Sequence, residues 1–412
     1  MRPAGTTSGR AEALAELRTT AAIRQRARSL LERAQEGGSR WFEVHAAALP
    51  AAAAEVAEVC RTRYPDLAIP YHSRWRHFEA GGVNRKAALD ARLADHDPAA
   101  RARAMIDLTV VSVLLDAGAG PDWHYLEEPG GLRLSRSEGL GVASWNAFGT
   151  GLFAADPAHP LQVDAAGLRA LTPASLGTAF QVGPDNPLVG LEGRVRLLHR
   201  LADVLAARPE VFGASGRPGG LFDVVTAGRD DVAAHDILSH ILAEFSGIWL
   251  ADNTIDGHPL GDCWRHEAVD GPGPTRGWVP FHKLSQWLTY SLLEPFEWAG
   301  VTVRDLNALT GLPEYRNGGL LLDTGVLQLR DPDWAHHDWQ VGDELVVEWR
   351  ALTVALLDEL APLVRAQLGV DAETMPLARV LEGGTWAAGR QLAARLRHGL
   401  PPLTIISDGT VF

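Results

Sequence analysis

Apolar residues recur at helical spacing along this chain, and no stretch alternates strand with helix. Residues 98–117, 188–208, 231–250, 280–299 and 343–368 each read as a helix, with Pro280 in the first turn of one and Asp343 near the start of another. The segment MIDLTVVSVLLDA is apolar almost throughout, which fits a buried helix ending at Gly118. Further helices are expected over 11–36, ended by Gly37-Gly38, and over the alanine-rich 41–63, stopped by Tyr64-Pro65. Others are expected over 137–153 and up to about 398. The stretch LLLDTGVLQL and the terminal LTIISDGTVF are the places for extended chain. The expected fold is mainly α, with at most a small sheet. Residues 1–65 form an N-terminal helical layer and 66–412 the main helical domain, packed as one compact unit.

Composition narrows the classes of partner. Hydrophobic residues make up 46% and charged residues 22% of 412, enough for a sizeable core. The formal net charge is −13, from 51 acidic and 38 basic residues, which argues against a nucleic-acid or anionic-membrane footprint. Small anionic substrates are still accessible, because a few local arginines suffice to hold a phosphate. No apolar run reaches 18 residues, so no membrane span is expected. Two cysteines, Cys60 and Cys263, lie in no CxxC pair and build neither a disulfide scaffold nor a thiolate zinc site. The charged N-terminus lacks an apolar signal core. A soluble protein of a reducing cytoplasm is expected, with no resident metal or cofactor.

Among the 38 basic residues only Lys86 and Lys283 are lysines. Such a bias exchanges lysine for arginine wherever a generic positive charge suffices, so a remaining lysine can mark a place where a planar fork does not fit. Lys86 stands beside Arg85 in a charged stretch and carries little weight. Lys283 opens an otherwise apolar helix and shares a face with Gln286, three residues on.

Polar and aromatic residues gather in four non-periodic loops, where binding groups concentrate. The first holds Tyr71, His72, Ser73, Arg74, Trp75, Arg76, His77, Phe78 and Glu79. The second holds Asp122, Trp123 and Tyr125, followed by Arg136, Ser137 and Glu138. The third runs from Trp264, Arg265 and His266 to Phe281, His282, Lys283 and Gln286. The fourth is Leu312-Pro313-Glu314-Tyr315-Arg316-Asn317-Gly318-Gly319. Each also has a structural reading: an anchoring tryptophan, a helix cap at Ser137, a water-facing helix turn, a surface ion pair. His72 and His77, with Asp122 or His124, are weak candidates for metal ligands because their spacing does not share a helix face.

The motifs PYHSRWRHFEAGG, VSVLLDAGAGPDW, NPLVGLEGR, VPFHKLSQWLTYSLLEP, LTGLPEYRNGGL, VVEWRALTV, LEGGTWAAGR and SDGTVF span about 69–412. Together they resemble the uracil-catabolism protein family of the non-reductive pyrimidine-degradation pathway, its fourth named component. That pathway implies a ribosylurea-type intermediate whose N-glycosidic bond some member must cleave. The stretch from Phe281 to Leu327, with the helix that follows it, is also similar to the queuosine-salvage N-glycosidases. Those carry Phe-Tyr-Lys-x-x-Gln, then Ala-Asp-Tyr-Arg, Gly-Val-Leu and Glu-x-Arg. Here the counterparts are Phe281–Gln286, Pro313–Arg316, Gly325–Leu327 and Glu348–Arg350. The resemblance implies a helical fold of the DNA-glycosylase type and catalytic roles for Lys283 and Glu314, with Glu standing where that family has Asp.

These readings imply an N-glycoside hydrolase acting on a small riboside, ribosylurea or its 5′-phosphate. Glu314 would stabilise an oxocarbenium-like state or activate water, and Lys283 would position it. Tyr71, His72, Trp75, Arg76, His77, Asp122, Trp123, Arg136, Glu138, Trp264, Gln286, Arg316, Trp386 and Arg390 are the candidate substrate contacts. The alternatives are a metal-dependent hydrolase of the amide or ureido bond in the ring-opened pyrimidine, and a non-enzymatic pathway partner. The oligomeric state stays open, since the apolar helices at 280–299 and 343–368 suit core and interface equally.

Overall fold

The computed structural model describes residues 7–128, 130–249 and 253–406; the terminal SDGTVF motif thus lies outside the described residues. Helices dominate, and the strands occur only as two-stranded pairs, so the fold is mainly α as expected. The chain divides into two units, each assembled from separate stretches.

The first unit takes in Met1–His72, Ala251–Gln286 and Asp305–Ser407. Its centre is the helix Glu344–Leu368, which packs against the helices Thr20–Gln35 and Leu49–Arg63. From Leu345 to Leu357 every residue of that central helix is buried, as a helix walled in on several faces must be. Tyr315–Asp323 packs against Trp386–Arg397. Glycines let the helix Tyr315–Asp323 lie close both to the central helix and to Trp386–Arg397. A Cβ on Gly318 would come within 2.7 Å of the Trp349 ring, and one on Gly389 would collide with the Arg316 carbonyl.

Short strands lock the loops of this unit. Phe42–Val44 runs antiparallel to Leu327–Leu329, and Cys263–Arg265 antiparallel to Trp278–Pro280. Asp338–Gln340 pairs in parallel with Thr404–Ile406.

The second unit takes in Ser73–Leu250 and Trp287–Arg304. Pro98–Leu114, buried at every residue from Ala104 to Leu114, is joined by Arg136–Gly149, Leu191–Ala207 and Ala234–Phe245. The helix Lys283–Trp298 contributes its opening turn to the first unit and the remainder to the second.

Several expected elements change at their ends. The helix expected over 11–36 is two, Thr7–Leu17 and Thr20–Gln35, because the Thr19 side chain accepts the Ala22 N–H and starts a new helix. The start of 41–63 is strand, since Phe42 pairs with Leu329; the helix begins at Leu49. Pro280 closes a strand rather than opening a helix, which starts at Lys283. The loop 251–279 contains strands of two antiparallel pairs, and the loop after Trp123 is a hairpin, His124–Glu127 with Leu132–Ser135. No helix among the described residues is long and apolar enough to cross a membrane.

Candidate active site

Lys283 stands at a helix start that a buried aspartate organises. The carbonyl of Asp262 accepts the N–H groups of Phe281 (2.9 Å) and His282 (3.1 Å), and its carboxylate accepts that of Lys283 (2.9 Å). His282 takes a left-handed conformation (φ 49°), turning the chain into the helix, and its ring bonds the Leu17 carbonyl at 2.8 Å. Asp262 also receives a bidentate fork from Arg350 (2.8 and 2.7 Å) and the indole N–H of Trp264 (2.7 Å). Burial pushes its pKa upward, but Arg350 and these N–H groups hold it below the usual aspartate value. Gln286, one turn on, is fully buried. Its amide pairs with the Thr310 hydroxyl and accepts the Thr310 N–H (3.0 Å), fixing the loop that leads to Glu314.

Glu314 is the N-cap of the helix Tyr315–Asp323. One carboxylate oxygen accepts the Arg316 N–H (2.7 Å) and the other the Asn317 N–H (2.5 Å). The loop before it is tied down from both sides. Asn317 donates to the Leu312 carbonyl (3.0 Å), and Arg350 reaches the Pro313 carbonyl (3.4 Å). Glu314 is 8% exposed. Burial raises its pKa above the ordinary glutamate value; the two N–H groups and the charges of Lys283 and His72 act in the opposite direction. Lys283 and Glu314, 31 positions apart in sequence, therefore act on one another electrostatically in the folded chain.

His72 joins them from the other end of the sequence. Its N–H donates to the Ala378 carbonyl (2.9 Å), and its ring Nδ1 lies 2.9 Å from Glu382. The other oxygen of Glu382 accepts from Arg63 (3.2 Å) and the Tyr64 hydroxyl (3.3 Å). Trp386 lies beside the His72 ring, 6.5 Å between centroids.

A buried carboxylate with a raised pKa, a lysine and a carboxylate-oriented imidazole make a constellation suited to general acid–base work. Each Glu314 oxygen spends one acceptor site on the helix and retains another for water or substrate. Among the described residues no three His, Cys, Asp or Glu side chains are grouped to hold a metal ion.

Of the candidate contacts, Tyr71, His72, Trp264, Lys283, Gln286, Glu314, Arg316, Trp386 and Arg390 belong to the first unit. Arg379 stacks over Tyr71 (5.4 Å), and exposed Arg390 over Trp386 (5.4 Å). Arg316 is 4% exposed and donates to the Gly399 carbonyl at 3.2 Å; its Nε and one Nη find no protein partner. Trp75, Arg76, His77, Asp122, Trp123, Arg136 and Glu138 belong to the second unit. Trp75 and Trp123 are each 1% exposed and donate to carbonyls of Ser291 and Phe180, as core tryptophans do. Arg76 pairs with Glu294 (2.7 Å), and His77 with the buried Arg74 (3.0 Å). Asp122 and Arg136 are exposed. The charge of Glu138 acts on Arg74.

Sequence reasoning missed Asp262 and Glu382. Asp262 sits in a Gly/Pro-rich loop with no pattern around it. Glu382 is the second residue of the LEGGTWAAGR motif, whose paired glycines were the available signal.

Comparison with known proteins agrees over nearly the whole chain. Residues 16–412 match a family described as "Protein of unknown function (DUF1688)". The protein urg3 of Schizosaccharomyces pombe is 39% identical over 411 residues, covering 97% of this chain and 99% of that protein. Uracil catabolism protein 4 of Lachancea kluyveri is 40% identical over 377 residues, 84% of this chain and 85% of that protein. With the family match spanning all but the first fifteen residues, the chain belongs to the DUF1688 family.

Proposed function

We propose that this protein acts in uracil catabolism as an N-glycoside hydrolase, cleaving ribosylurea or its 5′-phosphate to urea and ribose or ribose phosphate. The observation that carries this reading is Glu314: a buried carboxylate clamped by two backbone N–H groups and held in the field of Lys283 and His72. Further support comes from the relative named uracil catabolism protein 4.

Cleavage of an N-riboside passes through an oxocarbenium-like state. Glu314 orients the attacking water and takes its proton, and its negative charge steadies the developing cation. Lys283 favours the ionised carboxylate against the burial that opposes it. Trp386 and Tyr71 offer apolar faces for the sugar.

The test is incubation of the purified protein with ribosylurea and with its 5′-phosphate, following urea and ribose by mass spectrometry. Urea together with an intact sugar is the expected result. Release of neither from either compound would remove the reading.

A further inference from the structure

Resting on the N-glycosidase reading, we propose that His72 protonates the departing nitrogen and that Glu382 is the positioning residue that sets its tautomer. Urea is a poor leaving anion, so a donor is required; Glu314, acting on water, cannot also supply it.

The geometry around His72 is built rather than incidental. Glu382 lies in a single π-helical turn, Leu381–Thr385, a feature concentrated at functional sites. The turn closes onto the helix Leu49–Arg63 only because its next two residues are glycines. A Cβ on Gly384 would come within 2.5 Å of Val56 and 2.8 Å of Cys60, and one on Gly383 within 2.7 Å of Ile69. The carboxylate so delivered is held from behind. Arg63 donates to its carbonyl (2.6 Å) and to its side chain, and Tyr64 adds a second hydrogen bond to the side chain. In front, at 2.9 Å, is His72 Nδ1. A carboxylate accepts only, so Nδ1 carries the hydrogen and Nε2 is the nitrogen turned away from Glu382. That is the arrangement by which a carboxylate orients a catalytic imidazole.

The C1′–N bond breaks and its electron pair goes to the urea nitrogen, which takes the Nε2 proton of the imidazolium. Water oxygen bonds C1′, and the water proton goes to Glu314. Proton transfer from Glu314 back to His72 through solvent restores both groups. The titratable groups linked to His72 include Glu382, with Arg63 and Tyr64 behind it, and Glu314, whose carboxyl lies in the field of the His72 charge.

The experiment compares the full-length wild type with His72→Asn, His72→Gln and Glu382→Gln, after thermal melting has verified folding. The substrates are ribosylurea and nicotinamide riboside, whose leaving group departs neutral without a proton. His72→Asn is expected to lower kcat on ribosylurea by about 10²–10³-fold, with at least a tenfold smaller loss on nicotinamide riboside. The alkaline fall of kcat on ribosylurea should vanish in that variant. Glu382→Gln should lower kcat about tenfold with KM unchanged and shift the same limb. Equal losses on both substrates, a full ribosylurea rate, or persistence of the alkaline limb would overturn the proposal. If nicotinamide riboside is not a substrate, the limb alone decides. A wild type that releases no urea would instead defeat the N-glycosidase reading itself.

Discussion

Two buried carboxylates of the first unit, Asp262 and Glu314, share one job and differ in what remains of them afterwards. Both fasten the start of a helix through backbone N–H groups. Asp262 is saturated: the Arg350 fork, Trp264 and Lys283 N–H take its oxygens, and its pKa falls below the usual range. Glu314 accepts from two backbone N–H donors, Arg316 and Asn317, and burial pushes its pKa up. A saturated carboxylate is architecture. One with spare acceptor sites and an unsettled proton is equipped for chemistry.

The comparison breaks most sharply at Glu314. Glu314→Gln should lower kcat by about 10³-fold, within the range for a general base. It should also destabilise by about 1 kcal/mol, because a carboxamide satisfies only one of the two N–H groups. Glu314→Asp separates the two roles. Aspartate is a favoured N-cap and keeps the charge, so melting should hardly move. The carboxylate retreats by a methylene, and kcat should drop about 10²-fold. Similar activity in wild type and both variants would leave Glu314 as a cap alone.

Asp262→Asn should do the reverse, destabilising by about 3–5 kcal/mol because Arg350 is left buried without its charge partner. Urea or thermal unfolding checks it; a shift under 1 kcal/mol would contradict the saturated picture.

The two residues should also answer pH with opposite signs. The folded pKa of Asp262 is depressed, so its contribution to stability is present above the ordinary value of 3.8 and lost as pH falls toward the folded pKa. The folded pKa of Glu314 is raised, so its contribution is lost as pH rises through that pKa. For activity, the acidic limb of kcat/KM should lie above the ordinary glutamate value of 4.5. Lys283→Met should move that limb further up, since a neighbouring positive charge is gone. Lys283→Arg, the smallest change, should lower kcat about tenfold, or about 1.4 kcal/mol. An unmoved limb in Lys283→Met would sever the lysine from Glu314.

The scarcity of lysine singled out Lys283, and the likeness to the queuosine-salvage N-glycosidases joined it to Glu314 in the Pro-Glu-Tyr-Arg loop. The long helices were legible from apolar spacing, because a helix buried along its length shows that period directly. The partners were harder. Glu382 reaches His72 across 310 positions, through a π-turn that depends on glycines fitting against Val56 and Cys60. Asp262 is defined by Arg350, 88 positions away. Neither spacing leaves a local pattern. Aromatic residues misled in a different way: Trp75 and Trp123 share loops with polar residues, yet their rings serve the core.

The central claim is attack of water at the anomeric carbon, and ¹⁸O-labelled water tests it most directly. With rapid borohydride trapping of the sugar, the label is predicted at C1 of ribose or ribose phosphate, with unlabelled urea. Ribosylamine accompanied by labelled carbon dioxide would place the attack at the ureido carbonyl and contradict the account.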